Sequence, residues 1–468
     1  MFEKLLSGQP SGIFGIGYDD PTTVGIICTI ILLIMVVSGV RVVFAASIAG
    51  IIGLVELIGV GPALGNIGAI PYSKSVTFVL GLLPIFILIG FLAYQAGMTR
   101  QLYEAAKAWI GFVPGGLAVA TVFATAGFAA VSGASTATAA VFSRVAIPEM
   151  LKEGYDKKLA AGVVAAGGTL ASLIPPSAIL IIYAIIVEES VGALLLAGFL
   201  PGIFSAIVYG GIIIIWAKMN PDLGPPGRRY SFNEKMKALP GIIPIAIVIT
   251  VIISAIYAGW ATPTEAGALG AFVVLIIAIM RGLKLQALNF ALIETAKLVA
   301  MIFSIIWGVL IFVRFLGFSG LPETFANWII SLPFDPYTVL ILILLGYVIL
   351  GMFIDAIGLL LLTLPVVYPA IILLNGGPDV TADQSPFGMT FNQVSVWFGI
   401  IVVKMAEVCL ITPPIGLNCF VVAGVRKDIP VTDVFKGVTL FFIADILTIL
   451  ALVMFPAIIT WLPDLMRS

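Results

Sequence analysis

The chain has 468 residues, 61% of them hydrophobic and 10% charged, with a mean hydropathy of +1.20. No soluble globular domain carries that ratio, so the composition is that of a polytopic membrane protein. The net charge of −1 argues against a nucleic-acid partner, and the absence of histidine removes the commonest general base and metal ligand together.

In chain order, residues 1–22 form a polar N-terminal segment with Lys4 as its one basic residue. A basic stretch directly before a short apolar one, as in a secretory signal, is missing, so the first span is expected to be retained. The first half, 23–217, carries apolar runs near 23–40, 42–62, 76–97 and 190–217. Between them, region 113–148 is too long for one crossing and is interrupted at Val131-Ser132-Gly133-Ala134-Ser135. Its arms run only ~13–18 residues against the ~20 that a span needs, so it reads as a re-entrant helical hairpin. The run 159–187 contains Pro175-Pro176 in its middle. Proline removes a backbone donor and clashes with the preceding turn, so this helix must open there.

Residues 218–238, rich in Pro and Gly and carrying Arg228-Arg229, form a linker near the middle of the chain. The second half, 239–468, has spans near 240–258, 264–280, 298–319 and 433–463. It also has a second long region, 337–373, interrupted at Leu350-Gly351-Met352-Phe353-Ile354-Asp355. A second broken helix, 395–425, is interrupted at Pro413-Pro414. Hairpin, broken helix and closing helix therefore follow in the same order in both halves. Pro175 precedes Gly198 by 23 residues and Pro413 precedes Gly437 by 24.

Counting Lys and Arg orients the spans. With residue 1 outside and both hairpins returning to the side they enter from, eighteen of the 23 basic residues share one side, which becomes the cytoplasmic one. The N-terminus is then periplasmic. The first hairpin enters from the cytoplasm and the second from outside, which makes the two halves an inverted-topology repeat. Paired breaks in such halves point to a transporter's binding site.

Ser132, Gly133, Ser135, Thr136 and Thr138 form a small-residue cluster at the first tip. Small residues permit close helix packing; they also leave carbonyls and hydroxyls that suit a hard cation such as sodium. With Gly168, Pro175 and Ser177 from the first break they make a first candidate sodium site. By symmetry, Gly351 and Asp355 face Ile411, Thr412 and Pro414 as a second. Asp355 is either a cation ligand or a helix cap, and both roles are compatible. Lys404 and Glu407 share a helix face before the second break, as an ion pair or as contacts to an anionic substrate. Ser135, Thr136, Thr138, Lys404, Glu407 and Asn418 are the candidate substrate residues. Arg314 reads as snorkelling, and Glu56 and Asp445 as isolated acids in spans. The three cysteines form no metal or disulfide pattern, and no phosphate-binding Gly-x-x-x-x-Gly-Lys-Ser/Thr motif occurs. An enzyme is therefore not expected, and energy must come from an ion gradient or a partner.

Taken together, Ala130–Ala140, Gly167–Ser177, Trp260–Ala268, Gly351–Asp355 and Leu410–Leu417 resemble the large membrane subunit of the TRAP (tripartite ATP-independent periplasmic) transporters. The resemblance covers almost all of the chain. It implies a sodium-driven importer of a small organic acid in a bacterial inner membrane. It implies a periplasmic substrate-binding protein and a small four-span membrane subunit, here expected as a separate chain. It also implies an elevator-type transport domain of hairpins and broken helices moving against a scaffold. A stand-alone sodium/carboxylate symporter is the alternative. The polar loop at 375–392 departs from the family pattern, and its place beside the second hairpin puts it within reach of the binding protein.

Overall fold

The computed structural model describes residues 20–467; most of the N-terminal segment 1–22, with Lys4, lies outside them. Among the described residues the protein is all helical, 81% helix with no strand. Among these residues, seven helices are long and apolar enough to cross a membrane, or eight if one bent pair, Phe232–Gly241 with Ile243–Tyr257, counts as a span.

Region 113–148 folds as two helices, Gly116–Ser132 and Ser135–Lys152, packed on each other. Region 337–373 does the same, as Pro336–Gly351 and Ala356–Leu374. Both Pro-Pro pairs interrupt helices. Lys157–Thr169 runs into a 3-10 turn at Leu170–Ser172, and the chain resumes as Ala178–Val187. Phe391–Ile411 stops before Pro413-Pro414 and resumes as Leu417–Val425. Both Pro-Pro peptide bonds are cis. The closing helices are Val191–Met219 and Val431–Met454.

Four features differ from the apolar runs. Val60–Ser75 is helical although three glycines and two prolines hide any apolar stripe. Met98–Ile110 is an amphipathic helix, tied to the first hairpin by Lys107 Nζ and Glu149 Oε2 at 3.0 Å. The span expected to begin at 298 starts at Leu285, just after Gly282, and runs 35 residues, because no Gly or Pro stands between Leu285 and Ala300 to stop it; Lys297 pairs with Glu294 inside it. The last run ends at Met454, where Pro456 forces a break before Ala457–Arg467.

The chain divides into two compact units, each drawn from both halves of the sequence. One takes residues up to Leu80, Ile182–Glu189 and Ala300–Phe398; the other takes Gly81–Ile181, Ser190–Val299 and Gly399–Ser468. The first hairpin belongs to the latter and the second hairpin to the former.

Within the unit holding the first hairpin, Lys157–Thr169 is the central helix. It packs against Ser135–Lys152, Leu417–Val425 and Val431–Met454. Its crossing with Val431–Met454 is backbone on backbone: a Cβ on Gly437 would land on the carbonyl of Lys158, and one on Gly162 would strike Gly437. Lys157 Nζ and Asp433 Oδ2, 2.9 Å apart, close the ends of the same two helices. That pair is half-exposed and adds little stability, so the glycine contact sets the geometry.

In the other unit, Leu321–Ser331 packs on Ala356–Leu374. Residues 375–390 fold back on themselves: buried Asn375 donates to the Met389 carbonyl at 2.9 Å and accepts from Ser385 at 2.5 Å. Phe387 stacks between Tyr337 and Trp397, with ring centroids 5.1 and 5.4 Å away.

Candidate functional site

The first hairpin turns at Gly133, whose φ of +58° is left-handed and ends the Gly116–Ser132 helix. A side chain there would be strained, and its Cβ would also strike the carbonyl oxygen of Pro176. The tip therefore lies directly against the first Pro-Pro break. Ala178 N–H reaches the Gly133 carbonyl at 3.5 Å.

Hydroxyls line this contact. Ser135 Oγ and Ser172 Oγ are 2.5 Å apart, and Ser132 Oγ and Thr138 Oγ1 are 2.8 Å apart. Ser177 donates to the Ser172 carbonyl and accepts from Leu180 N–H at 3.3 Å. Ser132, Ser135, Thr138, Ser172 and Ser177 are all buried. Gly168 sits beside the start of the second arm, where a Cβ would come 3.1 Å from the Ser135 carbonyl. The structure thus gathers Ser132, Gly133, Ser135, Gly168 and Ser177 around one tip. It adds Ser172 and the Pro176 carbonyl, which sequence reasoning did not single out.

A cavity of about 310 Å³ opens beside this tip. One face of the second arm, including Thr136, Ala140 and Arg144, forms part of its wall, with Ser132, Tyr94 and Glu294 opposite or adjoining. Arg144 is one of the eighteen basic residues that the charge count puts on the cytoplasmic side, and it was not among the candidate site residues. Its helical register with Thr136 and Ala140, eight and four residues earlier, was the available signal. In the other unit a cavity of about 380 Å³ runs along the second arm of the second hairpin, past Leu361, Leu364, Pro365 and Tyr368. Its wall is mostly apolar, with Glu188 the single charged residue.

Asp355 caps Ala356–Leu374, accepting from Gly358 N–H at 3.1 Å. Gly351 ends the preceding arm. Ile411, Thr412 and Pro414 belong to the other unit, where Thr412 Oγ1 donates to the Val408 carbonyl at 2.6 Å and Cys419 Sγ approaches the Ile411 carbonyl at 3.8 Å. Asn418, also buried there, donates to the Ala165 carbonyl at 3.0 Å and so joins the second broken helix to the central one.

Lys404 and Glu407 are fully buried. Lys404 Nζ lies 2.6 Å from Glu407 Oε2 and 2.8 Å from Asp445 Oδ1. Asp445 is thus a member of an ion cluster and not an isolated acid; the partners lie on separate helices, so sequence spacing could not pair them. Tyr209 donates to Asp445 Oδ1 at 2.6 Å, and its ring stands 5.3 Å from the Lys404 ammonium. Arg314 donates to Asn66 Oδ1 at 3.2 Å, a partner on the helix that the apolar runs did not reveal. Beyond the second broken helix, Arg426 holds Asp428 through two bonds of 2.9 and 2.7 Å and draws its carboxyl down to about 2.

These elements define a multi-pass membrane transport protein built on hairpins and interrupted helices. Residues 24–458 match the model of the DctM component of the tripartite ATP-independent periplasmic transporters. The chain belongs to that family. It is 32% identical over 396 residues to a C4-dicarboxylate TRAP transporter large permease protein of Pseudomonas aeruginosa, covering 84% of this chain and 86% of that one. It is 30% identical to a sialic acid TRAP transporter large permease protein of Vibrio cholerae, covering 83% and 87%. An isethionate TRAP transporter permease of Oleidesulfovibrio alaskensis is 28% identical, and the match spans 57% of that longer chain. The fold is similar to the YdaH transporter of Alcanivorax borkumensis, with a TM-score of 0.56 at 14% identity over 84% of this chain and 89% of that one.

Proposed function

We propose that this large permease subunit imports a small organic acid, driven by sodium and supplied by a periplasmic binding protein. The observation that carries the reading is the first tip, where hydroxyls and carbonyls of Ser132, Gly133, Ser135, Gly168, Pro175 and Ser177 are the candidate ligands of a sodium ion. Oxygen donors without a formal charge suit a monovalent hard cation that must also be released. Gly351 and Asp355, at the second tip, are proposed as ligands of a second sodium ion.

The neighbouring cavity suits the substrate. Thr136 offers a hydroxyl and Arg144 a guanidinium, the group best matched to a carboxylate. We assign the anion contact to Arg144 in preference to Lys404 and Glu407, which are closed off in their own cluster. The names of the Pseudomonas and Vibrio relatives, a dicarboxylate and a sialic acid permease, support an acidic substrate. Membership of the tripartite family supports partnership with a small membrane subunit and a periplasmic binding protein. Family membership supports an inner-membrane location, the Lys and Arg count supports a periplasmic N-terminus, and elevator-type movement completes the reading.

The test is uptake of labelled organic acids into proteoliposomes holding this chain and its small partner. An inward sodium gradient is applied with and without the binding protein. Uptake that requires both supports the proposal. Uptake with sodium alone moves the protein to the stand-alone symporters, and uptake indifferent to sodium overturns the coupling.

A further inference from the structure

The buried cluster at Lys404 has an odd number of charges. One ammonium faces two carboxylates, Glu407 and Asp445, and all three side chains are fully buried. Fully ionised, these three side chains would sum to one net negative charge. Two carboxylate oxygens, Glu407 Oε1 and Asp445 Oδ2, are buried without any hydrogen-bond partner. A buried ion left uncompensated is strongly destabilising, and so is a bare carboxylate oxygen.

We propose that this cluster is a proton-binding site, holding one proton on Glu407 Oε1 and leaving Lys404, Glu407, Asp445 and Tyr209 together neutral. A monovalent cation must supply the missing charge, and the geometry favours the smallest one. A metal ion needs a shell of several oxygens, whereas only two here lack a partner and the Lys404 ammonium already stands between the carboxylates. A proton needs one oxygen.

The hydrogen bonds also select which carboxylate takes it. Asp445 Oδ1 already accepts from both Lys404 and Tyr209. Glu407 accepts from Lys404 alone. Among the described residues, no other charged side chain acts on Lys404 or Glu407. Phe391–Ile411 supplies Lys404 and Glu407, Val431–Met454 supplies Asp445 and Val191–Met219 supplies Tyr209. The central Lys157–Thr169 helix turns only the Thr169 hydroxyl toward Tyr209. The site thus differs in chemistry from both proposed sodium sites, and its existence does not depend on the sodium reading.

Infrared difference spectroscopy on the full chain with its small partner, reconstituted in lipid and titrated with acid and base, reads the proton directly. The wild type should show a protonated-carboxyl carbonyl band at neutral pH that persists in sodium. Glu407→Gln and Asp445→Asn should each abolish it, because each leaves one carboxylate to pair with Lys404. Lys404→Met should strengthen it about twofold, since both acids must then be protonated to stay neutral. The two isosteric variants keep a neutral cluster and should fold, so the test survives if Lys404→Met does not. A spectrum with no such band, or one that both isosteric variants leave intact, overturns the proposal. A band that sodium removes assigns the site to a metal cation and overturns it equally. None of these outcomes depends on uptake, so a failed sodium reading would be visible separately.

Discussion

Ser135 is the residue whose loss separates packing from ligation at the first tip. Its hydroxyl meets Ser172 across the gap between hairpin and break. Ser135→Ala leaves the helix start without a polar cap to lose, because Ala134 caps that helix through no side-chain bond. The expected outcome is an unchanged fold with the sodium concentration for half-maximal uptake raised about five- to tenfold, equivalent to an interaction of about 1–1.4 kcal/mol. An unchanged sodium dependence would favour the packing role. Asp355→Asn is a cleaner test still, because Asn caps a helix about as well as Asp. The variant should melt like the parent while its sodium activation weakens. Arg144→Gln should raise the substrate concentration for half-maximal uptake by at least about tenfold, the loss expected of a charge-assisted bond, and leave the sodium curve in place. Arg144→Lys should recover only part of it, since an ammonium cannot grip a carboxylate with two parallel bonds. The charged loop pair Arg426–Asp428 will not blur such experiments. With its carboxyl drawn down to about 2, its contribution is complete above the ordinary aspartate range and is lost only as pH falls toward that value.

At the scale of elements, the crossing of Lys157–Thr169 and Val431–Met454 is the tightest constraint on the unit that holds the first tip. Gly437→Ala would set a methyl group on the Lys158 carbonyl, and the helices must part to admit it. The expected cost is about 1–3 kcal/mol, the usual range for overpacking, read as a lower melting temperature of the purified protein. Because the same central helix carries Gly168 at the tip, uptake should fall with it. The interrupted elements were legible in the sequence because proline and glycine punctuate them at Gly133, Pro175-Pro176 and Pro413-Pro414. Val60–Ser75 was not, since glycine and proline inside it erase the apolar period that marks a helix. Met98–Ile110 escaped for the opposite reason: it is too polar to register as a span and is held by its contact to the hairpin. Individual tip residues could be named in advance because each lies within a few positions of its break. Ser172, three residues before Pro175, and Arg144, eight after Thr136, were within reach of the same reasoning; the pairing of Asp445 with Lys404 was not, because it comes from helices brought together from distant parts of the chain.

For the molecule as a whole, the buried cluster around Lys404 has an electrical consequence. A charge carried across a membrane does work against the transmembrane potential, about 2.3 kcal/mol for each elementary charge per 100 mV. An ionised cluster would add one fixed negative gating charge to any conformational step that shifts it through the field, whereas a neutral one adds none. In steady turnover a fixed charge returns with the protein and cancels, so the cluster would show only in the transient current of a single conformational step. The charge displaced in that step should be the same in the wild type and in Glu407→Gln, which keeps the cluster neutral. Transient currents recorded without substrate would read it, and a displacement that shifts in this variant would place an extra moving charge in the protein itself.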